Sequence, residues 1–295
     1  MEINRKEILQ EMTRRITRDN EKNFIRTDRL DYIRSVLEDS EYEIFRETDL
    51  SITYKKKSVE LSQKIVLISS HVDCVDEIQN PNFKITKKGN YKGTFDNAAT
   101  NAVVVISMLE KQFSDHVLVA FTGDEEINSN GAKQVMEVLE KENKKVIAIA
   151  LDVTYDIEGE YDKNISTYDY ASYTIDNLCC NTKRKYAKSL FGVAKELNIP
   201  FMVTRAEDGD DYFEDKEDRI SDYYDEQFEV DSIAYADEAI IYSQSKFCEG
   251  AFSLCLPTNE QDNMHTDKLI KIKEKSFNQY LEAVVQIANR VLGEN

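Results

Sequence analysis

The sequence is poor in the residues that interrupt helices and strands or cross-link a polypeptide chain. Its 295 residues include three prolines, nine glycines, five cysteines and no tryptophan. The scarcity of proline and glycine argues against long flexible linkers. The cysteines are odd in number and only two of them are close together, so we expect reduced thiols in a cytoplasmic protein rather than a disulfide framework.

Two further absences limit where the protein acts. No stretch approaches the ~18 uninterrupted apolar residues that a membrane span requires, and residues 1–7 lack the apolar core of a secretory signal. Acidic residues outnumber basic ones by 56 to 38, which gives a formal net charge of −18. That charge disfavours contacts with nucleic-acid phosphates and anionic membranes. We therefore expect neither nucleic acid nor a membrane as a partner.

The sequence does contain four near-continuous apolar runs, which are typical of strands buried on both faces of a sheet. They are residues 65–68, 117–121, 146–151 and 251–256. Residues 42–45 and 51–54 alternate in the manner of a half-exposed hairpin. Helical patterns occupy residues 3–18, 27–38, 97–111, 129–141, 183–197 and 268–292. This alternation predicts an α/β fold, a three-layer α/β/α sandwich around a mostly parallel mixed central sheet.

Histidines and carboxylates follow these predicted strands in a fixed order. They are His71, Asp73, Asp96, Glu125, Glu126, Asp152 and His265. Because the carboxyl ends of parallel strands meet at one edge of a sheet, these side chains would converge there. Asp96 is expected at the N-cap of the helix that follows it. Nitrogen and oxygen ligands without thiolates suit Zn²⁺, Mn²⁺ or Co²⁺, so the pattern predicts a two-metal hydrolase.

The ordered set resembles the co-catalytic zinc exopeptidases that have the bacterial leucyl aminopeptidase fold. That superfamily includes the glutamyl aminopeptidases and the relatives of carboxypeptidase G and aminoacylase. The similar motifs are His71-Val72-Asp73, Phe95-Asp96-Asn97-Ala98-Ala99, Glu125-Glu126, Leu151-Asp152-Val153, and the loop from Leu256-Pro257-Thr258 through Met264-His265-Thr266. The resemblance extends from about residue 65 to the C-terminus. It departs from the family where glycine commonly follows the aspartate and Glu-Glu motifs.

The resemblance implies roles for these residues and two divalent metal ions, with Zn²⁺ expected and Mn²⁺ or Co²⁺ as alternatives. The ions would share Asp96 as a bridging ligand, with His71 and Asp152 completing one site and Glu126 and His265 the other. Asp73 would hydrogen-bond the back of His71 and fix its tautomer. Glu125 would be the general base that takes a proton from the attacking water.

The activity that the resemblance implies is that of an aminopeptidase acting on short peptides or aminoacyl substrates. The same site would suit an amidohydrolase that deacylates N-acyl amino acids. A third alternative is a non-catalytic metal- or peptide-binding relative, although such a protein has no need of Glu125. A homo-oligomer is compatible with the resemblance.

The spacing between the site residues limits which domain organisation the chain can have within that superfamily. The 25 residues from His71 to Asp96 are too few for the domain that tetrahedral aminopeptidases insert there. We therefore expect residues 1–295 to form a single catalytic domain, with N-terminal helices and a hairpin in residues 1–60. Residues 205–231 contain thirteen acidic and three basic residues. We interpret residues 205–238 as an acidic surface insertion, either simply solvated or forming a rim that attracts cationic ligands.

Overall fold

The computed structural model describes residues 3–16, 28–154, 166–179, 181–206, 231–234, 238–259 and 265–293. Most of the predicted acidic insertion, namely residues 207–230 and 235–237, lies outside this part of the chain, as does Met264.

The described strands are twelve in number. They are β1 (Tyr42–Glu47), β2 (Ser51–Lys56), β3 (Lys64–His71), β4 (Phe83–Ile85), β5 (Tyr91–Gly93), β6 (Val117–Thr122), β7 (Lys145–Thr154), β8 (Tyr173–Asp176), β9 (Phe201–Ala206), β10 (Asp231–Ala234), β11 (Cys248–Pro257) and β12 (Ile270–Ile272). The described helices are α1 (Arg5–Arg14), α2 (Asp28–Leu37), α3 (Ala98–Leu109), α4 (Asn130–Lys141), α5 (Thr167–Tyr170), α6 (Arg184–Glu196), α7 (Glu238–Ser243) and α8 (Glu274–Arg290).

Nine of the described strands form one mixed sheet in the order β1-β2-β6-β3-β7-β11-β8-β9-β10. Its centre, β6-β3-β7-β11, is parallel throughout and consists of the four apolar runs. The predicted hairpin β1-β2 joins this centre through antiparallel pairing of β2 with β6. Because β2 lies inside the sheet, its first four residues are all buried, so the half-exposed pattern expected there was wrong. Strands β12, β5 and β4 form a separate antiparallel sheet.

Helices cover both faces of the large sheet. On β3, Val66 and Ile68 belong to a core shared with α1, α2, α3, α6 and α8, whereas Ile65 and Leu67 belong to a second core shared with α4 and α7. This alternation follows from the two-residue period of a strand. The predicted three-layer α/β/α sandwich is therefore confirmed.

Two predicted helix boundaries are corrected by the structure. The last helix begins at Glu274 rather than near residue 268, because residues 270–272 pair with β5 as strand β12. The N-cap of α3 is Asn97 and not Asp96, which lies one residue earlier. Among the described residues, no helix is long and apolar enough to span a membrane.

Candidate active site

The carboxyl edge of the parallel strands carries the predicted site. His71 is the last residue of β3 and pairs with Thr122, the last residue of β6. Asp152 lies near the end of β7, directly after Leu151, which pairs with Ser70. The register therefore places His71 and Asp152 on neighbouring strands at the same height of the sheet.

His71 is surrounded by carboxylates. Its Nε2 atom lies 3.3 Å from Asp96 Oδ1, 3.7 Å from Asp152 Oδ1 and 3.9 Å from Glu125 Oε2. The imidazole is 3% exposed, so these charges interact with little screening by solvent. The structure thus brings one histidine and three carboxylates from four separate segments to one point.

Asp96 lies between the two predicted histidine ligands. Its Oδ1 faces His71 Nε2, whereas its Oδ2 lies 3.1 Å from His265 Nε2. Glu126 Oε2 is 4.0 Å from the same nitrogen of His265. The His265 side chain is 56% exposed, in contrast to the buried Asp96. One carboxylate therefore presents a different oxygen to each of two histidine-containing groups, which is the arrangement that a bridging ligand needs.

Asp73 lies behind His71 and is fully buried. Its Oδ1 is 3.5 Å from His71 Nδ1, on the side of the ring opposite to Asp96. Its Oδ2 accepts a hydrogen bond of 3.2 Å from the backbone N–H of Glu126. Asp73 consequently links the segment after β3 to the segment after β6.

Local structure at the start of α3 fixes this edge of the sheet. Asn97 Nδ2 donates to the carbonyl of Leu151 at 2.7 Å, and Asn101 Nδ2 donates to the carbonyl of His71 at 2.8 Å. The helix that follows Asp96 is therefore tied to the two strands that carry His71 and Asp152.

Three carboxylates of the cluster have raised pKa values. Burial, together with the charge of Asp96, raises the pKa of Glu126 to about 10. Burial likewise raises the pKa of Glu125 well above its usual value, and the charge of Asp152 adds to this shift. The pKa of Asp152 is also raised, mainly by burial. Crowded carboxylates behave in this way when no cation separates them.

The pKa values of the two histidines are raised, whereas that of Asp96 is lowered. Burial alone would lower the pKa of His71, but the charge of Glu125 and hydrogen bonds to carboxylates outweigh it and raise the pKa well above its usual value. The pKa of His265 is raised by its hydrogen bond to Asp96. Burial would raise the pKa of Asp96, yet the hydrogen bonds from His265 and His71 prevail and lower it.

The donor set fits divalent cations. Potential ligand atoms of His71, Asp96 and Glu126 all lie within 4.8 Å of one another. Glu126 Oε1 is buried without a hydrogen-bond partner among the described residues, and Asp96 Oδ1 has only the contact of 3.3 Å with His71 Nε2. Buried carboxylate oxygens in that condition are costly unless a cation satisfies them. Imidazole nitrogens and carboxylate oxygens are suitable ligands for Zn²⁺, Mn²⁺ and Co²⁺.

Sequence reasoning missed two buried charged residues beside this cluster. Arg29 of α2 donates from Nη1 to the carbonyl of Val72 at 2.7 Å. Glu238 of α7 accepts from Ser69 Oγ at 2.6 Å, and burial raises its pKa to about 7 against the hydrogen bonds from Ser69 and Thr122. One signal pointed to Arg29, because it falls on the buried stripe of α2. A charged residue on an apolar stripe calls for a partner in the core.

Substitution of Asp96 tests the bridging geometry. Since each Asp96 oxygen faces a different histidine, we expect Asp96→Ala to reduce the bound metal more than His265→Ala or Asp152→Ala does. Elemental analysis after dialysis gives the metal content per chain, and Asp39→Ala at an exposed surface position is the matched control. Two ions retained per chain in Asp96→Ala would contradict the assignment of Asp96 as the shared ligand.

Comparison with known proteins points to one family. The model of Peptidase family M28 matches residues 50–247, a region that includes six of the seven predicted site residues and ends before His265. The sequence matches no curated protein at a significant level.

Solved structures share the fold of the chain. A TET aminopeptidase from the marine sediment archaeon Thaumarchaeota archaeon SCGC AB-539-E09 is 12% identical with a TM-score of 0.69, over 98% of this chain and 99% of that one. The Pyrococcus horikoshii TET1 peptidase is 11% identical with a TM-score of 0.60, over 97% and 99%. A dinuclear metal-binding peptidase of the M20 family from Bacillus subtilis is 10% identical with a TM-score of 0.62, over 98% of both chains. At these identities the likeness concerns the fold.

Proposed function

Since this chain belongs to peptidase family M28, and is therefore a metal-dependent hydrolytic enzyme, we propose that it is an aminopeptidase that releases N-terminal residues from short peptides. The observation that carries this proposal is the geometry around Asp96, whose two oxygens face His71 and His265 while Glu125 lies beside His71. Two ligand groups and one additional carboxylate at a sheet edge are the parts that metal-assisted amide hydrolysis requires.

The proposed ligands of a pair of divalent ions, zinc in the first instance, are His71, Asp96, Glu126, Asp152 and His265. Such a pair would polarise the scissile carbonyl and favour ionisation of water at neutral pH. Two distances support this division of the ligands: Asp152 Oδ1 lies 3.7 Å from His71 Nε2, and Glu126 Oε2 lies 4.0 Å from His265 Nε2. Ligand atoms of Glu126 and His71 also lie within 4.8 Å of one another. Asp73 would hold the His71 ring in one tautomer from behind.

Glu125 is the proposed general base. Its carboxylate is near enough to His71 Nε2, at 3.9 Å, to reach a water molecule placed between the ligands and a bound peptide. Cations bound beside it would favour its ionised form, because a nearby positive charge lowers the pKa of a carboxyl. In that form it would accept the proton of the attacking water and then donate it to the leaving amine, as a single group does in general acid–base catalysis. Its side chain is 14% exposed, which allows that access while keeping the carboxylate in a poorly solvated place.

Paired substrates separate aminopeptidase activity from deacylation. We expect kcat/KM for a dipeptide with a free α-amine to exceed that of its N-acetyl derivative by about 100-fold or more, because a site selective for a polar terminus rejects its blocked analogue. The acidic surroundings favour the ammonium form. The measurement is hydrolysis of both substrates after loading with Zn²⁺, Mn²⁺ and Co²⁺ in turn.

Each other outcome of that experiment identifies an alternative. Cleavage confined to the N-acetyl substrate would indicate an N-acyl amino acid deacylase. Metal-loaded protein that turns over neither substrate, nor a wider panel of peptides and amides, would indicate a non-catalytic binding relative.

Three wider features belong to the same proposal. We propose a cytoplasmic location, supported by the cysteine usage, and a single catalytic domain, supported by a core cluster with members from Ile8 to Leu292. We also propose a homo-oligomer, since the Pyrococcus horikoshii TET1 peptidase assembles into a tetrahedron or a large octahedral shell.

A further inference from the structure

Arg29 is a buried arginine of α2, in a part of the chain that precedes the family-matched residues 50–247. Its side chain is 2% exposed. Its Nη1 donates to the carbonyl of Val72 at 2.7 Å, and its Nη2 and Nε donate to the carbonyl of Arg15 at 3.0 and 3.3 Å. These contacts fix the guanidinium group between the N-terminal helices and the end of β3.

The residue that Arg29 contacts lies between two members of the candidate site. Val72 separates His71, a proposed ligand, from Asp73, which lies behind it. The guanidinium group therefore contacts the backbone of the segment that joins His71 to Asp73. Burial lowers the pKa of Arg29, and nearby acidic groups oppose that shift, namely Cys74, Asp73, Asp96 and Glu126. An arginine side chain nonetheless keeps its charge at any physiological pH.

The charges of the cluster explain why a positive group is favourable at this position. The cluster contains five carboxylates, Asp73, Asp96, Glu125, Glu126 and Asp152. Two divalent cations would leave one negative charge in a largely buried place. The positive charge of Arg29 offsets part of the negative charge that remains here, to which Glu238 beside the cluster also contributes. Buried charges are tolerated where they are compensated in this manner.

We infer that Arg29 is a positioning residue that acts through the Val72 carbonyl and supplies the protein's own counter-charge to the metal centre. This inference rests on the proposed function, because it presupposes two cations at the carboxylate cluster. It assigns the N-terminal helix pair a part in building the site, although those helices precede the family-matched region. Arg29 touches neither substrate nor reacting atoms in this role.

In this role Arg29 contributes more to the stability of the metal-free protein than to that of the metal-loaded protein. Without metals, Arg29 is the counter-charge to those carboxylates that remain ionised, Asp96 among them. With metals, the two cations already supply most of that counter-charge. Removing the charge with Arg29→Gln, which retains a donor for Val72, should therefore destabilise the metal-free form more. We expect the gap in Tm between the two forms, measured at pH 8, to widen by about 3 °C or more.

Two matched variants control for packing. Arg29→Lys keeps the charge and should show the gap of the wild-type protein. Arg34→Gln changes an arginine of the same helix, which pairs with Glu47 at 2.8 Å, and should leave the gap unchanged. A loss of Tm that is equal in both forms of Arg29→Gln would overturn the inference, because a purely structural residue acts on both forms alike.

A double variant provides the test if Arg29→Gln does not fold. Removing one negative charge together with the positive one, in Arg29→Gln/Asp73→Asn, should recover folded metal-free protein, and the absence of recovery would count against the inference. The outcomes also remain separable from those of the proposed function. A wild-type protein without a Tm gap would refute the metal centre itself, whereas a wild-type gap that Arg29→Gln leaves unchanged refutes only the role of Arg29.

Discussion

Glu125→Gln is expected to lower kcat by about 10²–10⁴-fold, the usual effect of losing a general base, while the protein keeps its metal ions. The amide has the size of the carboxylate but cannot accept a proton from the attacking water. Glu125 is not among the proposed ligands, and it lies 3.9 Å from His71 Nε2. Metal content should therefore match that of the wild-type protein in elemental analysis.

The same substitution should spare the fold. Burial disfavours the ionised form of Glu125 and raises its pKa, so a neutral side chain of the same shape takes no favourable charge from the metal-free protein. We expect the Tm of metal-free Glu125→Gln to be no lower than that of the metal-free wild-type protein. Glu137→Gln, at an exposed position of α4, is the matched control and should retain wild-type kcat. Wild-type kcat in metal-loaded Glu125→Gln would assign the proton transfer to another group.

Most of the sheet could be predicted because its central strands are marked by uninterrupted apolar runs. Strands β3, β6, β7 and β11 are covered by helices on both faces, and their composition reflects that burial. Short elements carry no such signal. Strand β12 has only three residues and is defined by its pairing with β5. Its sequence alone does not distinguish it from the start of the helix that follows. Helix α7 has six residues and likewise gives no periodic pattern long enough to recognise.

Most of the proposed site residues could be found in sequence because they lie near a strand end or a helix start. His71, Asp152 and Glu125 lie at positions where a parallel sheet directs side chains toward a ligand. Their supporting residues could not be found in the same way. Glu238 contacts Ser69 across 169 positions, and Arg29 contacts Val72 across 43. Such pairings depend on how whole helices pack on the sheet, which local patterns do not specify.

Removal of the metals is expected to lower Tm by several degrees at pH 7.5. Cations that bind only the folded arrangement stabilise it by RT ln(1 + [L]/Kd), about 2.7 kcal/mol at a hundredfold excess over Kd. A chain of this size converts such a loss into a shift of several degrees. The metal-free cluster also retains repulsion among its carboxylates, which the raised pKa values of Glu125, Glu126 and Asp152 express. Calorimetry before and after chelation, with metal content verified, gives the shift.

The difference between the two forms should shrink as the pH falls from 7.5 to 5. Glu126 has a pKa of about 10 in the folded metal-free protein, far above that of an unfolded glutamate. A group whose pKa is raised by folding contributes stability at low pH and loses it as the pH rises through the folded pKa. Metal-free protein therefore gains from Glu126, and in the same sense from Glu125 and Asp152, on acidification. Metal-loaded protein loses affinity over the same range, because protons compete with cations for carboxylates and imidazoles. A Tm that does not change after verified metal removal at pH 7.5 would mean that these side chains hold no metal, and the proposed mechanism would be wrong.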